Sequence, residues 1–382
     1  MNVEGADLEA GTMQALGRRF NDLKVVARRN GEDWRLALDG REVAGTAVWR
    51  SPTPIMPNGR VVARLARLTT PGAGDLTPWQ APAGEAPRAP DAANPWPEID
   101  LATDALWMRG RDVGKLEVTA RPSGTDWHIE SLALRNDQGS IDAKGWWRAG
   151  PPQQTMLDVA VETQEAGAFL ARFGMPDTVR GAPTKIEGQL GWSGSPADFD
   201  YPSLHGALKL TSGSGQFLKA DPGMGRLLGV LSLQALPRRV TLDFRDVFSE
   251  GFAFDTIAGV GAIASGVIST DNLRLAGPAA TVDISGSVDL AQETERLRVK
   301  VQPALSSTFS AGAAALFIAN PLVGAAVGAG TLLAQKLLKD PIEQLFSYEY
   351  AVSGNWVEPL VQRVGSRTAA VTPASSPQSL TQ

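Results

Sequence analysis

The chain has 382 residues, of which 43% are hydrophobic and 20% charged, so it can form a sizeable core and is too apolar for wholesale disorder. It has no cysteine and only two histidines, which excludes disulfides and thiolate chemistry and argues against a histidine-rich metal site. A formal net charge of -5 gives no general attraction to nucleic acid, and 40 glycines with 26 prolines favour many short elements joined by turns.

Apolar and polar residues alternate in short segments along the whole chain, which is the period-two pattern of β-strands with one buried face. Polar turns such as RRNGEDW and RPSGTDW separate many of these segments and leave no room for crossover helices. We therefore predict a mainly β protein with a long antiparallel, meandering sheet. The clearest alternating segments are Leu23, Val25, Ala27; Trp34, Leu36, Leu38; Leu116, Val118; Leu157, Val159, Val161; Val240, Leu242, Phe244; Phe252, Phe254; Val282, Ile284; and Leu297, Val299, Val301.

A loose repeat overlies the alternation: a strand that often carries Trp, a turn, and a return strand ending in Gly before an apolar residue. DWRLALDGREVAGTAVWR and DWHIESLALRNDQGSIDAKGWWR are two copies. The repeat predicts a stack of similar units in which most tryptophans fill the core. It assigns 1–70 to a β-repeat region, 98–302 to a continuous β-region and 346–365 to a final strand.

Four segments depart from the strand pattern. Residues 71–97 are rich in proline and should form a disordered loop, and the tail 366–382 should likewise be disordered. Apolar residues at helical spacing predict short helices near 164–174 and near 223–236.

A further apolar segment covers 303–345, and no charged side chain occurs from Val301 to Gln335. Asn320-Pro321 divides it, because proline disfavours helix in the preceding residue, so we expect a helical hairpin. Three interpretations stay open: a plug packed on the sheet, insertion into a membrane face, or a transmembrane span. The residues expected to plug the sheet or to contact the membrane are Phe309, Leu316, Phe317, Ile318, Leu322, Val323, Val327, Leu333 and Leu338.

The sequence contains none of the common catalytic motifs, neither G-x-S-x-G nor H-E-x-x-H nor a phosphate-binding G-x-x-x-x-G-K-[ST]. DPGMGRLLG resembles a phosphate loop only loosely and lacks the surrounding parallel β-α-β unit. The acidic residues of LDFRDVFSEGFAFD suit solvated strand edges and a turn better than a catalytic pair. We therefore predict no catalytic residue, no metal site and no cofactor. The two histidines, His128 and His205, have no obvious Asp or Ser partner.

The segment from Leu218 to Pro359 closely resembles the C-terminal region of the YhdP branch of the AsmA-like proteins of Gram-negative envelopes. The run LQALPRRVTLDFRDVFSEGFAF, the apolar hairpin and YAVSGNWVEP carry this resemblance. Upstream, PEIDLATDALWMRGRDVGKLEVTARPSGTDWHIESLALRNDQGSIDAKGWW resembles the strand repeats of the same family, with a weaker likeness to about residue 20. The N-terminus lacks the pattern of a secretion signal and of the family's membrane anchor, so we expect a C-terminal portion of a longer protein.

The resemblance implies a bridge-like lipid transfer protein of the periplasm, in which a long sheet curls into an apolar groove. It implies phospholipid acyl chains as ligands, support of outer-membrane lipid homeostasis, and contact with the inner leaflet of the outer membrane or with an envelope protein. In the full-length family the chain is anchored in the inner membrane; we expect a monomer within such a chain and no nucleic-acid partner. The predicted groove-lining residues are Leu208, Leu210, Val240, Leu242, Phe244, Phe252, Phe254, Val282, Ile284, Leu297 and Val299.

An alternative interpretation is a structural or regulatory envelope module with a closed β core and no lipid channel. The two interpretations differ in what covers the apolar faces of the strands, because exposed apolar patches beyond a few hundred Å² are rare in soluble monomers. In the conduit interpretation, acyl chains cover the apolar faces of the strands. In the scaffold interpretation, another layer of polypeptide covers them.

Overall fold

The computed structural model describes residues 4–15, 18–70, 96–124, 126–196, 199–218, 252–304, 347–356 and 359–364. These residues form one long sheet of 18 strands, a separate sheet of three short strands, and one short helix. The fold is therefore mainly β, as the alternation predicts.

The elements, in chain order, are β1 Gly5–Ala15, β2 Arg18–Asn30, β3 Asp33–Asp39, β4 Val43–Arg50, β5 Arg60–Thr69, β6 Glu98–Met108, β7 Arg111–Ser123, β8 Asp126–Asn136, β9 Gly139–Arg148, β10 Gln154–Thr163, α1 Ala166–Arg172, β11 Val179–Gly181, β12 Thr184–Ser193, β13 His205–Ser212, β14 Gly215–Phe217, β15 Phe252–Phe254, β16 Thr256–Ala264, β17 Val267–Ala276, β18 Ala280–Asp289, β19 Thr294–Pro303, β20 Tyr348–Asn355 and β21 Pro359–Val364.

The long sheet is a meander in which each strand pairs with the next strand of that sheet along the chain, from β1 to β21. All of these pairs are antiparallel except the pair of β5 and β6, which is parallel. A parallel pair needs a long connection that returns the chain to the same end of the sheet, and the segment between β5 and β6 is long enough for one.

The three-stranded sheet consists of β11, β14 and β15 and lies at one end of the long strands. Its strands belong to the connections that follow β10 and β13 and precede β16, and α1 belongs to the first of these connections. Phe217 and Phe254 join β14 to β15 with ring centroids 4.9 Å apart. Helix α1 lies inside the segment near 164–174 for which the sequence predicts a helix.

The two faces of the long sheet differ in polarity, because successive side chains of a strand point to opposite faces. One face carries cross-strand ion pairs, such as Lys185 with Glu162 at 3.3 Å and Arg298 with Glu349 at 3.1 Å. Exposed pairs of this kind contribute roughly 0–1 kcal/mol each, so they keep this face in water more than they hold the sheet together. The buried apolar residues of the long sheet lie on the other face.

Other parts of the predicted organisation differ from the structure or lie outside it. Two antiparallel strands, β20 and β21, replace the single strand predicted at 346–365. Residues 71–95 of the loop predicted at 71–97, the helix near 223–236, residues 305–345 of the hairpin predicted at 303–345 and the tail 366–382 lie outside the described residues. Within the described residues, no helix has the length and apolar character needed to cross a membrane.

Gly286 of β18 is a position where the sheet requires glycine. Its φ is 127°, which side-chain-bearing residues rarely adopt, and a Cβ there would collide with the carbonyl oxygen of Arg296 on β19. We expect Gly286→Ala to lower the free energy of unfolding by about 2–4 kcal/mol through this strain, measured by urea denaturation. Gly11→Ala is the control, because a Cβ at Gly11 meets nothing within 4 Å. Equal destabilisation by both changes would contradict the prediction.

Candidate functional site

A continuous row of apolar residues crosses the middle of the long sheet. Directly opposed residues share a face, so the row can be followed from strand to strand. On β10, β12 and β13 the register aligns Val161 with Ile186 and Ile186 with Leu210. Beside this row, Val159, Gly188 and Leu208 form a second one, and Leu208 pairs in turn with Gly261 of β16. We call the face that carries these rows the apolar face.

The apolar face continues through the C-terminal strands. On β17 to β20 the register aligns Leu275, Val282, Val301 and Tyr348 in one row. The adjacent row is Leu273, Ile284, Val299 and Tyr350. Towards the N-terminus, the apolar face continues across β4, β5 and β6. On β5 it consists of Ala63, Leu65 and Leu68, which pair with residues of β4 and β6.

The apolar face is one surface, although its buried residues form four clusters. Leu68 packs against both N-terminal clusters and so connects them. Leu208 packs against one of the two remaining clusters, and Leu210, two residues along the same strand, packs against the other. Leu132 and Leu134, two residues apart on β8, connect the cluster that contains Leu208 to an N-terminal cluster in the same way, so apolar residues continue along the sheet from cluster to cluster.

Six of the predicted lining residues lie on the apolar face. The structure places Leu208 and Leu210 on β13, Val282 and Ile284 on β18, and Leu297 and Val299 on β19. Phe252 and Phe254 are different: they belong to β15 of the small sheet and pack against the apolar face from outside the long sheet. The alternation of Phe252, Ala253 and Phe254 is typical of a strand in the long sheet, but this strand pairs with β14 of the small sheet. Val240, Leu242 and Phe244 lie outside the described residues.

In the part of the chain that the structure describes, α1 and the small sheet are the elements outside the long sheet that pack on the apolar face. Helix α1 and the small sheet place Ala166, Val179 and Phe254 against Ile257 and Leu275, at one end of the strands. The central residues of β10, β12 and β13 are only partly buried. Among the described residues, the second layer therefore consists of a helix of 7 residues and three strands of 3 residues, against a sheet of 18 strands.

Tryptophans lie along the other end of the strands, which we call the aromatic edge: Trp34, Trp49, Trp127, Trp147, Trp192 and Trp356. Trp34 pairs directly with Trp49, and Trp127 with Trp147. Thr155 connects Trp147 to Trp192 through the register of β9, β10 and β12. The ring centroid of Trp147 is 5.9 Å from that of Trp127 and 5.2 Å from that of Trp96. An indole combines a large apolar ring with one N–H donor, so it suits a boundary between apolar and polar surroundings.

Glu295 is a buried acidic residue on the apolar face, next to the aromatic edge. It lies between Val288 of β18 and Gly354 of β20 and is 2% exposed. Neither carboxylate oxygen has a hydrogen-bond partner among the described residues. Burial raises the pKa of Glu295 to about 7, because removing the carboxylate from water disfavours its charged form.

Glu295 and the alignment of the tryptophans are the features that sequence reasoning missed. Both had a signal in the sequence. Glu295 is in register with Leu297 and Val299, which places its side chain on their face. Four of the six tryptophans follow an Asp at a strand start, as in Asp126-Trp127, or precede an Arg at a strand end, as in Trp147-Arg148. In an antiparallel meander, such starts and ends lie at the same end of the sheet.

Comparison with known proteins finds sequence similarity along nearly the whole chain. The model of the YhdP protein family matches residues 1–361. The chain is 28% identical over 355 residues to the protein named intermembrane phospholipid transporter YhdP of Escherichia coli (strain K12), which covers 92% of this chain. The chain spans 27% of the length of that relative. No solved structure matches. Because the family match extends over nearly all of the sequence, the chain belongs to the YhdP protein family.

Proposed function

We propose that this chain is a non-enzymatic segment of a phospholipid conduit, in which the apolar face curls into a groove that shields acyl chains from water. The segment then supports phospholipid movement between the inner and outer membranes and the lipid balance of the outer membrane. The observation that carries the proposal is the apolar face that continues from strand to strand, with the middle of β10, β12 and β13 only partly buried. The similarity of this chain to a protein named as an intermembrane phospholipid transporter supports phospholipid as the ligand.

An apolar surface of this extent needs a cover, since burying apolar area yields about 25 cal/mol per Å². The second layer formed by α1 and the small sheet lies at one end of the strands and leaves the middle of β10, β12 and β13 partly accessible. A closed β core would place a second sheet of similar length over these strands, and the described residues contain no such sheet. Acyl chains are therefore the cover that we propose.

Movement along such a face requires no strong binding site. An acyl chain in water costs roughly 0.8 kcal/mol per CH₂ group relative to apolar surroundings. A chain that passes from a bilayer to the apolar face exchanges one apolar environment for another and avoids this cost. The rows of Val, Leu and Ile repeat from strand to strand, so neighbouring positions along the sheet offer similar contacts.

The proposed location is the periplasmic side of the Gram-negative envelope, where the conduit would connect two bilayers. In this proposal the apolar segment 303–345 is the terminal element. It meets the inner leaflet of the outer membrane or an envelope protein there, or it covers the apolar face as a plug. Its lack of charge from Val301 to Gln335 suits any of these apolar surroundings.

The experiment that tests the proposal is native mass spectrometry of the purified chain, with phosphorus analysis of an organic extract from the same sample. We expect phospholipid to remain bound after purification, with little selection among headgroup classes. A chain that is folded by circular dichroism and carries no phospholipid, even after incubation with vesicles, would contradict the conduit and favour a closed scaffold.

A further inference from the structure

Three buried polar groups at or next to the aromatic edge have no hydrogen-bond partner among the described residues. They are the indole Nε1 of Trp147, the indole Nε1 of Trp356 and the carboxyl group of Glu295. These residues are 6%, 8% and 2% exposed, respectively. A buried donor or acceptor without a partner costs about 1–3 kcal/mol, so groups of this kind require an explanation.

Two other tryptophans of the aromatic edge have an indole N–H group that donates a hydrogen bond to the backbone. The Nε1 of Trp127 donates to the carbonyl oxygen of Pro97 at 3.1 Å, and the Nε1 of Trp192 donates to that of Ser195 at 3.0 Å. The local backbone can therefore supply acceptors at this end of the sheet. Trp147 and Trp356 differ in that no described residue accepts a hydrogen bond from their indole N–H groups.

The register brings the three unpartnered groups to the same end of the strands. Trp147 connects to Trp192 through Thr155. From Leu190, one pleat inward of Trp192, directly opposed residues lead across β13, β16, β17 and β18 to Glu295 and then to Gly354. Trp356 follows Gly354 by two residues, and its backbone N–H donates to the carbonyl oxygen of Glu293 at 3.1 Å.

The opposite end of the strands is apolar and is covered by other elements. Ile257, Leu275, Val282 and Val301 are buried there, and α1 and the small sheet cover them with further apolar side chains. The apolar face is therefore asymmetric: unused hydrogen-bonding groups lie at one end and a covered apolar cluster at the other.

We propose, on the basis of the function proposed above, that phospholipids lie across the strands of this face in one orientation. Their phosphate and glycerol ester groups lie at the aromatic edge, and their acyl chains point towards the end covered by α1 and the small sheet. The ester carbonyl and phosphate oxygens accept hydrogen bonds from Trp147 and Trp356. The carboxyl group of Glu295, which lies beside them without a partner among the described residues, can donate a further hydrogen bond when it is protonated.

The length of the strands agrees with this orientation. Eight residue steps separate Thr184 from Trp192 along β12, which is roughly 26 Å at about 3.3 Å per residue. The acyl region of one leaflet is about 15 Å thick, half of a hydrocarbon core of about 30 Å. The acyl chains of one phospholipid therefore fit between the aromatic edge and the covered end.

The orientation can be tested with two phosphatidylcholine probes, one with a diazirine on the headgroup and one with a diazirine near the end of an acyl chain. Each probe is loaded into the purified chain and photolysed, and the labelled peptides are mapped by mass spectrometry. We expect the headgroup probe to label the strand ends near Trp147 and Trp356, and the acyl probe to label those near Leu275 and Val301. Reversed labelling, or equal labelling of both ends by each probe, would overturn the orientation. Absence of labelling by both probes would overturn the conduit function itself.

The role of the indole donors is tested by the double variant Trp147→Phe with Trp356→Phe, which keeps aromatic rings and removes both N–H groups. We expect headgroup labelling at the aromatic edge to fall severalfold, while the amount of bound lipid stays close to wild type because the acyl contacts remain. Trp192→Phe is the matched control, since its donor already has a backbone acceptor, and it should leave headgroup labelling unchanged. Wild-type headgroup labelling in the double variant would overturn the proposed contacts.

Discussion

Replacing Leu208 with arginine is expected to strip phospholipid from the purified chain while the sheet stays folded. Leu208 is partly buried in the middle of the apolar face, between Gly188 and Gly261. Because Leu208 is only partly buried, we expect the sheet to accept arginine there and stay folded. An arginine charge among acyl chains loses its hydration without gaining a partner, which costs several kcal/mol. Because each 1.4 kcal/mol is a factor of ten, bound lipid should fall by at least about tenfold.

Ala207→Arg is the matched control for this change. Ala207 is the adjacent residue of the same strand, and its exposed side chain lies on the polar face opposite Gln189 and Ala262. The control adds the same charge to the same strand and should retain wild-type lipid. The measurement is lipid per protein by native mass spectrometry, with circular dichroism as the check of folding. Wild-type loading in Leu208→Arg, or equal loss in both variants, would show that the apolar face does not carry the lipid.

The second large effect concerns Glu295 and the dependence of stability on pH. Burial raises the pKa of Glu295 to about 7 in the folded chain, from the ordinary value of 4.5 for a glutamate in water. Between these values the folded chain keeps a proton that the unfolded chain releases, so stability falls as the pH rises from about 4.5 to about 7. At lower pH the neutral carboxyl group leaves the full stability in place. We expect this one group to cost about 1–3 kcal/mol by neutral pH.

Glu295→Gln isolates this contribution, because its amide stays neutral throughout the range. The free energy of unfolding, measured in urea at a series of pH values, should fall less steeply for Glu295→Gln than for wild type. Glu349→Gln on the neighbouring strand is the control: it removes an exposed ion pair with Arg298, which is worth less than about 1 kcal/mol. Parallel curves for wild type and Glu295→Gln would show that the carboxylate is solvated in the folded chain.

The side chains of the apolar face could be read from the sequence because strand alternation is a local property of the backbone. Leu208 and Leu210, or Leu297 and Val299, lie two residues apart and therefore point to the same side. The short turns between strands also predict the antiparallel meander. What failed was the assignment of Phe252 and Phe254 to the long sheet, since three alternating residues do not reveal which strand they pair with.

The parallel pair of β5 and β6 illustrates the same limit. Alternation in β5 and in β6 shows which side chains share a face but contains nothing on the direction of the partner strand. The long segment between them permits a return of the chain to the starting end, and only the pairing Arg60 with Glu98 shows that it does return. The curl of the sheet into a groove stays part of the proposal, and native mass spectrometry of bound lipid tests it.

The sequence by itself determined that this protein is built from strands with one apolar and one polar side, because a period of two is set within each strand. Only the tertiary structure decided that the six tryptophans of the aromatic edge share one end of the sheet while Trp107 lies at the other, and that Glu295 is buried between Val288 and Gly354. Gly354 is far from Glu295 along the chain, so no local pattern could reveal the contact. Burial, and with it the pKa of an acidic side chain, depends on which distant strands the fold brings together.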